Sequence, residues 1–209
     1  MSRSMSLMGL VALMALMVST VSAQEKANGT KPTLEESLKW LQSLPKMGGV
    51  VNKDLDPDRF KKMTVKYLET LKQIQIGGHP AGMKGHVNLP QDEYRYLTAL
   101  PALEIAKFPE NDLADAAMAH ICKIKTLKEL QLMECNITNA GLKHLANLPE
   151  LTSLDLGFCN FIDDAGLVEV EKLTKLQQLG LRGKKLKVTP AGIAKLQKAL
   201  PNCKITTSP

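Results

Sequence analysis

Two consecutive stretches of the chain carry almost the same sequence. Residues Leu127–Glu150 read LKELQLMECNITNAGLKHLANLPE, and residues Leu151–Lys175 read LTSLDLGFCNFIDDAGLVEVEKLTK, which is the same pattern with one residue added. Apolar residues and a cysteine recur at matching places in both. Self-similarity at a fixed period indicates an array of stacked units, because no single copy can bury its own apolar side chains.

Further copies flank this pair. A third begins at Leu176, an earlier one at Leu100 and a looser one at Leu71, and the pattern starts again at Leu200. The copies therefore recur with a period of roughly 24–29 residues, which is typical of solenoid repeats. In the copy at Leu100, the pattern makes Ile105 one of the buried residues of a strand. The array covers the whole C-terminal two thirds of the chain.

Each copy predicts a short strand followed by a helix. In Leu154-Asp155-Leu156 successive side chains point to opposite sides, so that the two leucines face the core and Asp155 faces outward. Asp163 is a good N-cap for the helix that follows. A pair of small residues recurs just after each cap, which indicates close packing at that point. The pairs are Ala116-Ala117, Ala140-Gly141, Ala165-Gly166 and Ala191-Gly192.

The segment LKELQLMECNI satisfies the pattern L-x-x-L-x-L-x-x-N/C-x-L, and LTSLDLGFCNF satisfies it with Ile162 one place late. With the helix starts ITNAGL and IDDAGL, the chain resembles leucine-rich repeat proteins. It is most similar to the cysteine-containing-like subclass and to secreted bacterial proteins with ITDAGL-like repeats. The resemblance runs from Leu71 to Ile205. It implies an α/β leucine-rich repeat solenoid with short parallel strands on the concave face and helices on the convex face.

The cysteines of the two central copies, Cys135 and Cys159, occupy matching places. The resemblance implies that this side chain points inward and bonds the backbone of the turn, as a structural ladder. In the flanking copies Phe108 and Lys184 replace it, and Cys203 fills a strand leucine position. We expect free buried thiols. A disulfide among the four cysteines or a metal pair is the alternative, because export would place them in an oxidising compartment.

The first residues of the chain predict a secretory signal peptide. Arg3 precedes an uncharged apolar run from Leu7 to Val18, and Val21-Ser22-Ala23 provides the small residues for cleavage after Ala23. The run is shorter than the ~20 residues of a membrane-spanning helix, so that an uncleaved anchor is the less favoured alternative. We expect a secreted, periplasmic or cell-envelope protein with no membrane span after cleavage.

The remaining organisation follows from the same pattern. Thr33 and Glu36 have the spacing of a capping box, which predicts a helix through Leu44, and a second helix is predicted from Asp56 toward Leu71. The predicted divisions are a signal peptide at 1–23, a disordered linker at 24–32, a helical N-terminal cap at 33–70, and leucine-rich repeats with an incomplete C-terminal repeat at 71–209.

The sequence contains no recognisable catalytic motif. The net charge of +6 is spread along the chain, which indicates a solvated surface and no nucleic-acid partner. His79 and His86 lie in one glycine-rich loop, which we interpret as a surface loop and not as a metal or phosphate site. His144 is interpreted as a helix surface residue. We therefore predict no enzyme, no cofactor and no metal.

The outward residues of the strands are the candidate binding residues. By alternation, the concave face carries residues between the buried leucines and just after them, including Gly180, Ala106 and Gly157. The candidate binding residues on this face and its rim are Glu104, Gln131, Met133, Asp155, Phe158 and Arg182. The resemblance implies that this face binds another protein.

The predicted function is a secreted, monomeric, non-enzymatic protein-binding module. One alternative is a structural or cell-envelope spacer without a specific ligand. The other is an intracellular ubiquitin-ligase-type adaptor, which the cysteine-type repeats suggest and the signal peptide disfavours.

Overall fold

A six-stranded parallel sheet organises the part of the chain that the computed structural model describes, which is residues 31–44, 63–78, 88–183 and 186–207. The predicted signal peptide, nearly all of the linker, His79, His86 and Lys184 lie outside these residues. Each strand pairs with its neighbours in sequence. The strands are β1 (Gln73–Gln75), β2 (Ile105–Lys107), β3 (Glu129–Gln131), β4 (Ser153–Asp155), β5 (Gln178–Gly180) and β6 (Lys204–Thr206).

Helices connect the strands. Between β1 and β2 the connection contains a 3₁₀ helix at Gln91–Ala99, and the later connections contain α-helices. The α-helices are α1 (Leu34–Ser43), α2 (Val65–Glu69), α3 (Asp115–Ile121), α4 (Asn139–Leu142), α5 (Asp164–Val170) and α6 (Pro190–Ala199), with a 3₁₀ helix at Lys143–Asn147 directly after α4. No helix among the described residues is both long enough and apolar enough to cross a membrane.

The sheet register defines the true length of each repeat. The central residues of the six strands pair in one row, which consists of Ile74, Ala106, Leu130, Leu154, Leu179 and Ile205. The step from Ile74 to Ala106 is clearly longer than the later steps along the row, which are nearly equal to one another. The predicted period of roughly 24–29 residues is therefore wrong for the first repeat, which exceeds it.

The copy predicted to begin at Leu100 begins at Leu103 instead. Ala106 pairs with Leu130 and is fully buried, whereas Ile105 is only half-buried. The prediction that Ile105 is a core residue and that Ala106 lies on the concave face is therefore wrong. The reason is that main-chain pairing with β3 fixes the register, and alanine at the central place gives no apolar signal in the sequence.

A similar correction applies at the end of the array. Ile205 pairs with Leu179, so that Cys203 precedes strand β6 and does not fill a strand leucine position. Cys203 is nevertheless buried. The connection between β5 and β6 is longer than the sequence pattern suggests, and the additional residues come before β6.

Helix α1 begins with the predicted capping box. The Thr33 hydroxyl accepts from the Glu36 N–H, and the Glu36 carboxylate accepts from the Thr33 N–H. The helix packs on the 3₁₀ helix of the first repeat, where Trp40 stacks on Tyr96 at 5.5 Å and the Trp40 indole donates to Glu93 at 2.9 Å. Helix α2 begins only after Thr64, and Met63 and Thr64 are not helical. The start of the helix predicted from Asp56 lies outside the described residues.

The starts of successive helices are joined by a row of side-chain hydrogen bonds. Asp115 accepts from both the N–H and the hydroxyl of Thr138, at 2.8 and 2.6 Å, and Asp164 does the same for Thr189 at the same distances. Between them, Asn139 exchanges two bonds with Asp163. Each helix therefore holds the N-cap of the next, and the array is tied together on this edge as well as through the sheet.

Candidate protein-binding surface

Two side chains from each strand point away from the core. In β3, Leu130 is fully buried while Glu129 and Gln131 on either side of it are half-buried, and β4 repeats the pattern around Leu154. We call the surface formed by these outward residues the open face; it is the face predicted to be concave. Its first row is Gln73, Ile105, Glu129, Ser153, Gln178 and Lys204, and its second row is Gln75, Lys107, Gln131, Asp155, Gly180 and Thr206.

A groove of about 530 Å³ runs along the open face. Residues from both rows line it from β2 to β6, together with Arg182 after β5. Most of these lining side chains are polar or charged. The groove is therefore a polar surface that spans five strands, not an apolar cavity.

The charges in the N-terminal half of the open face neutralise one another. Lys107 lies 3.0 Å from the Glu129 carboxylate, which also accepts a hydrogen bond from the Gln131 amide at 2.8 Å. Glu104 contacts Lys128 at 3.3 Å. Such partly exposed pairs contribute at most about 1 kcal/mol each to stability, but they restrict the positions of the side chains.

The C-terminal half is organised around Asp155. Its carboxylate accepts from the Gly157 N–H at 2.9 Å and from the Arg182 guanidinium at 2.6 Å. A Cβ at Gly180 would lie only 2.6 Å from the Asp155 Oδ1 atom, so that this carboxylate has room only because position 180 carries no side chain. The Asp155–Arg182 pair is thus held in one position on the open face.

Most of the candidate binding residues lie where the sequence predicts. Gln131, Asp155 and Arg182 line the groove. Glu104 also lines the groove. It comes just before β2 and not between two buried strand residues, because the register of β2 differs from the predicted one. The half-buried Met133 and the more exposed Phe158 lie in the turns that follow β3 and β4.

The first row of the open face was missed. The sequence pattern of the strands already contained the signal, because a residue two places before Gln131 or Asp155 must point to the same side. Lys107 was missed for another reason, which is the shifted register of β2. The residues added by the structure are Lys107, Lys128, Glu129, Ser153, Gln178 and Lys204.

The two ladder cysteines point inward and bond the main chain of the preceding repeat. The Cys135 thiol donates to the carbonyl of Phe108 at 3.1 Å, and the Cys159 thiol donates to the carbonyl of Leu132 at 2.9 Å. Burial raises the pKa of Cys159 to about 12 and raises the pKa of Cys135 as well. All four cysteines are buried and none is joined in a disulfide. Among the described residues no group of histidine, cysteine and carboxylate side chains could hold a metal ion.

Asn111, and not Phe108, occupies the ladder place in the repeat that contains β2. Its amide donates to the carbonyl of Ile76 at 3.1 Å, which is the same contact that each cysteine makes to the preceding repeat. Its amide oxygen accepts from the Tyr94 hydroxyl at 2.6 Å. Phe108 comes before Asn111 in the chain and packs in the core, at the place that Leu132 occupies in the next repeat. The predicted replacement of the ladder cysteine by Phe108 is therefore wrong.

The turn after each of the strands β1 to β5 places one residue in the left-handed region. In three successive repeats this residue is Glu110, Glu134 and Phe158, with φ of 51°, 60° and 60°. In the repeats on either side of these it is a glycine, Gly78 or Gly183. The open face therefore ends at a row of equivalent turns, one per repeat.

A family model described as Leucine Rich repeat matches residues 123–146 and 148–170, which are the two central repeats. None of the curated proteins compared with the chain matches it. An internalin (inlF) from Listeria monocytogenes has a similar structure, with a TM-score of 0.53 and 20% identity over 71% of this chain and 39% of the internalin chain.

Two more distant structures also align. One is the yeast Rad7 and Elc1 complex, with a TM-score of 0.39 and 20% identity over 99% of this chain and 40% of that chain. The other is a leucine-rich repeat protein of Leptospira interrogans, with a TM-score of 0.30 and 17% identity over 68% of this chain and 50% of that chain. This chain thus spans at most half the length of the three aligned structures. The described part of the chain has a leucine-rich repeat fold, and its two central repeats match the leucine-rich repeat family model.

Proposed function

We propose that this chain is an exported, non-enzymatic member of the bacterial leucine-rich repeat proteins with ITDAGL-like repeats, and that it binds another protein through the open face. Leucine-rich repeat proteins generally act as protein-interaction modules. The partner makes its main contacts along the two rows of outward side chains from β2 to β6.

The Asp155–Arg182 pair carries this proposal. A partly exposed ion pair stabilises a fold only slightly, yet here two glycines leave room for it, Gly157 in the turn after β4 and Gly180 in β5. A Cβ at Gly157 would lie 3.0 Å from the Asp155 carboxylate, and one at Gly180 would lie closer still. A charged pair in this polar groove supports specific polar recognition, because its two side chains are already ordered before the partner binds.

The described residues do not support a catalytic site. The ladder thiols are buried, and their raised pKa values keep them protonated near neutral pH, so that they are not nucleophiles. The carboxylates of the groove are engaged by neighbouring cations. Binding, and not chemistry, is the activity that this surface supports.

A capture experiment with two matched variants tests the proposal. Ser153→Arg places a long side chain in the groove, whereas Ala146→Arg adds the same side chain on the exposed 3₁₀ helix. From an extract of the source cells, wild type and Ala146→Arg should retain the same protein and Ser153→Arg should lose it. Equal retention by all three would contradict binding through the open face, and the absence of any captured protein would favour the spacer alternative.

Export is tested separately. The apolar run and Val21-Ser22-Ala23 support cleavage after Ala23. With the capping box and the repeat pattern, they support the proposed divisions of 1–23, 24–32, 33–70 and 71–209. Amino-terminal sequencing of the protein from its natural source should begin at Gln24. Material that begins at Met1 and stays in the cytosol would contradict export and favour the adaptor alternative.

A further inference from the structure

The second central repeat contains one residue more than the first. Ile137 and Ile162 are both fully buried and follow the ladder cysteines, but two residues separate Cys159 from Ile162 where only one separates Cys135 from Ile137. The added residue is therefore Phe161. It lengthens the segment between the turn after β4 and helix α5, while Ile162 stays buried.

Phe161 and Phe158 are the exposed phenylalanines of the described residues. Phe161 is 55% exposed and Phe158 is 38% exposed, whereas Phe108 is fully buried. Their Cα atoms are three residues apart and so lie within roughly 11 Å of each other. Phe158 lies in the turn after β4, and Phe161 pairs with Thr138 of the preceding repeat. Single exposed apolar side chains are ordinary, whereas exposed apolar side chains that lie near one another mark interaction sites. We call Phe158 and Phe161 the aromatic turn.

Phe158 occupies its place at a conformational cost. Its φ of 60° lies in the left-handed region, which is unfavourable for a bulky residue and suits glycine, the residue found at Gly78 and Gly183. Its exposed ring rests against Gly183 and does not fill the core. A strained residue whose side chain adds little to the core indicates a role outside the fold.

A carboxylate lies beside the aromatic turn. Glu134 is the equivalent of Phe158 in the preceding repeat, and the two main chains are joined there by the bond from the Glu134 N–H to the Gly157 carbonyl at 2.9 Å. Adjacent parallel strands are about 4.8 Å apart, so that the two side chains project from neighbouring places. Among the described residues Glu134 makes no ion pair.

We propose that Phe158, Phe161 and Glu134 form a second contact surface, which takes a protein segment that carries an apolar side chain next to a lysine or arginine. The rings bury the apolar side chain and attract the cation through their faces, and the Glu134 carboxylate pairs with the cation. Gly157 connects this surface to Asp155 on the open face. The proposal rests on the proposed function only in that the partner is a protein.

Selection from a library of random short peptides displayed on phage tests this proposal, with the full chain immobilised. The enriched peptides should carry an aliphatic or aromatic residue adjacent to lysine or arginine. A synthetic copy of an enriched peptide should bind Phe158→Gly/Phe161→Ser at least ten-fold more weakly than wild type. Glycine at 158 keeps the turn conformation, so that this variant should fold like wild type, which its thermal melt checks.

Two further variants separate the contributions. Glu134→Gln should weaken binding of the basic peptide at least three-fold and reduce its dependence on salt. Ser153→Arg should leave this binding unchanged, which would show that the aromatic turn acts whether or not the open face does. Enrichment of acidic peptides, enrichment that is equal on the double variant, or self-association of the wild type that the double variant abolishes would each overturn the proposal.

Discussion

At the scale of single residues, three glycines near helix starts are required by a neighbouring side chain. A Cβ at Gly141, Gly166 or Gly192 would collide with the carboxylate or amide that ties one helix to the next. The sequence predicts close packing at these small pairs, and the structure confirms it. Ala117 takes the same place in the first such helix, where Gln91 replaces the acidic partner by accepting from the Ala114 N–H at 2.7 Å.

Gly166→Ala should therefore destabilise the protein by about 1–3 kcal/mol, because the new methyl group collides with the Asn139 side chain. The sign is informative, because glycine to alanine within a helix ordinarily stabilises by about 1 kcal/mol. In a chain that already carries Asn139→Ala, the same substitution should no longer cost stability. Urea melts of wild type, the two single variants and the double variant give the coupling free energy between positions 139 and 166. A destabilisation that is equal in both backgrounds would assign the glycine to some other constraint.

The buried ladder thiol makes stability depend on alkaline pH. Burial raises the pKa of Cys159 from about 9 to about 12, so that the unfolded chain releases this proton first. The stability that the thiol contributes is complete below pH 9 and is lost as pH rises toward 12. Relative to Cys159→Ser, the wild type should lose about 1 kcal/mol between pH 8 and pH 10. The free energies of unfolding of the two chains are measured by parallel melts. If their difference stays constant across this range, the burial of a protonated thiol is contradicted.

At the scale of the elements, the sequence predicts most of the array and misplaces two strands, β2 and β6. The segment from Leu100 to Ile105 matches the repeat pattern better than the segment from Leu103 to Phe108, which contains Ala106 at its centre. Only main-chain pairing and the buried hydrogen bonds of Asn111 select the second. Local pattern identifies a strand, whereas long-range pairing sets its register.

The register of β4 gives a direct stability test. Leu154→Ala should cost about 2–5 kcal/mol as a large-to-small core change. Ser153→Ala, one residue earlier on the open face, should cost less than about 0.5 kcal/mol. Asp155 is a poorer surface probe than the sequence alone suggests, because it holds both Arg182 and the Gly157 N–H. If denaturant melts show that Ser153→Ala costs as much stability as Leu154→Ala, the assignment of Leu154 to the core and Ser153 to the open face is wrong.

At the scale of the whole molecule, the stacking that buries the leucines also creates the candidate site. No single repeat contains the groove, since Glu129, Asp155 and Lys204 come from three different strands. Alternation within a strand is enough to predict that Asp155 faces outward. The pairing of charges across strands and the room provided by Gly180 depend on the register of neighbouring repeats, and no local pattern contains that information.

Photo-crosslinking from defined places tests the central claim most directly. A photoreactive amino acid at Gln178, on the open face, should form a covalent adduct with one protein of the source-cell extract. The same group at Lys143, exposed on the 3₁₀ helix that follows α4, should form none. Adducts from position 143 with none from position 178 would place the partner on the other side of the array and contradict the account.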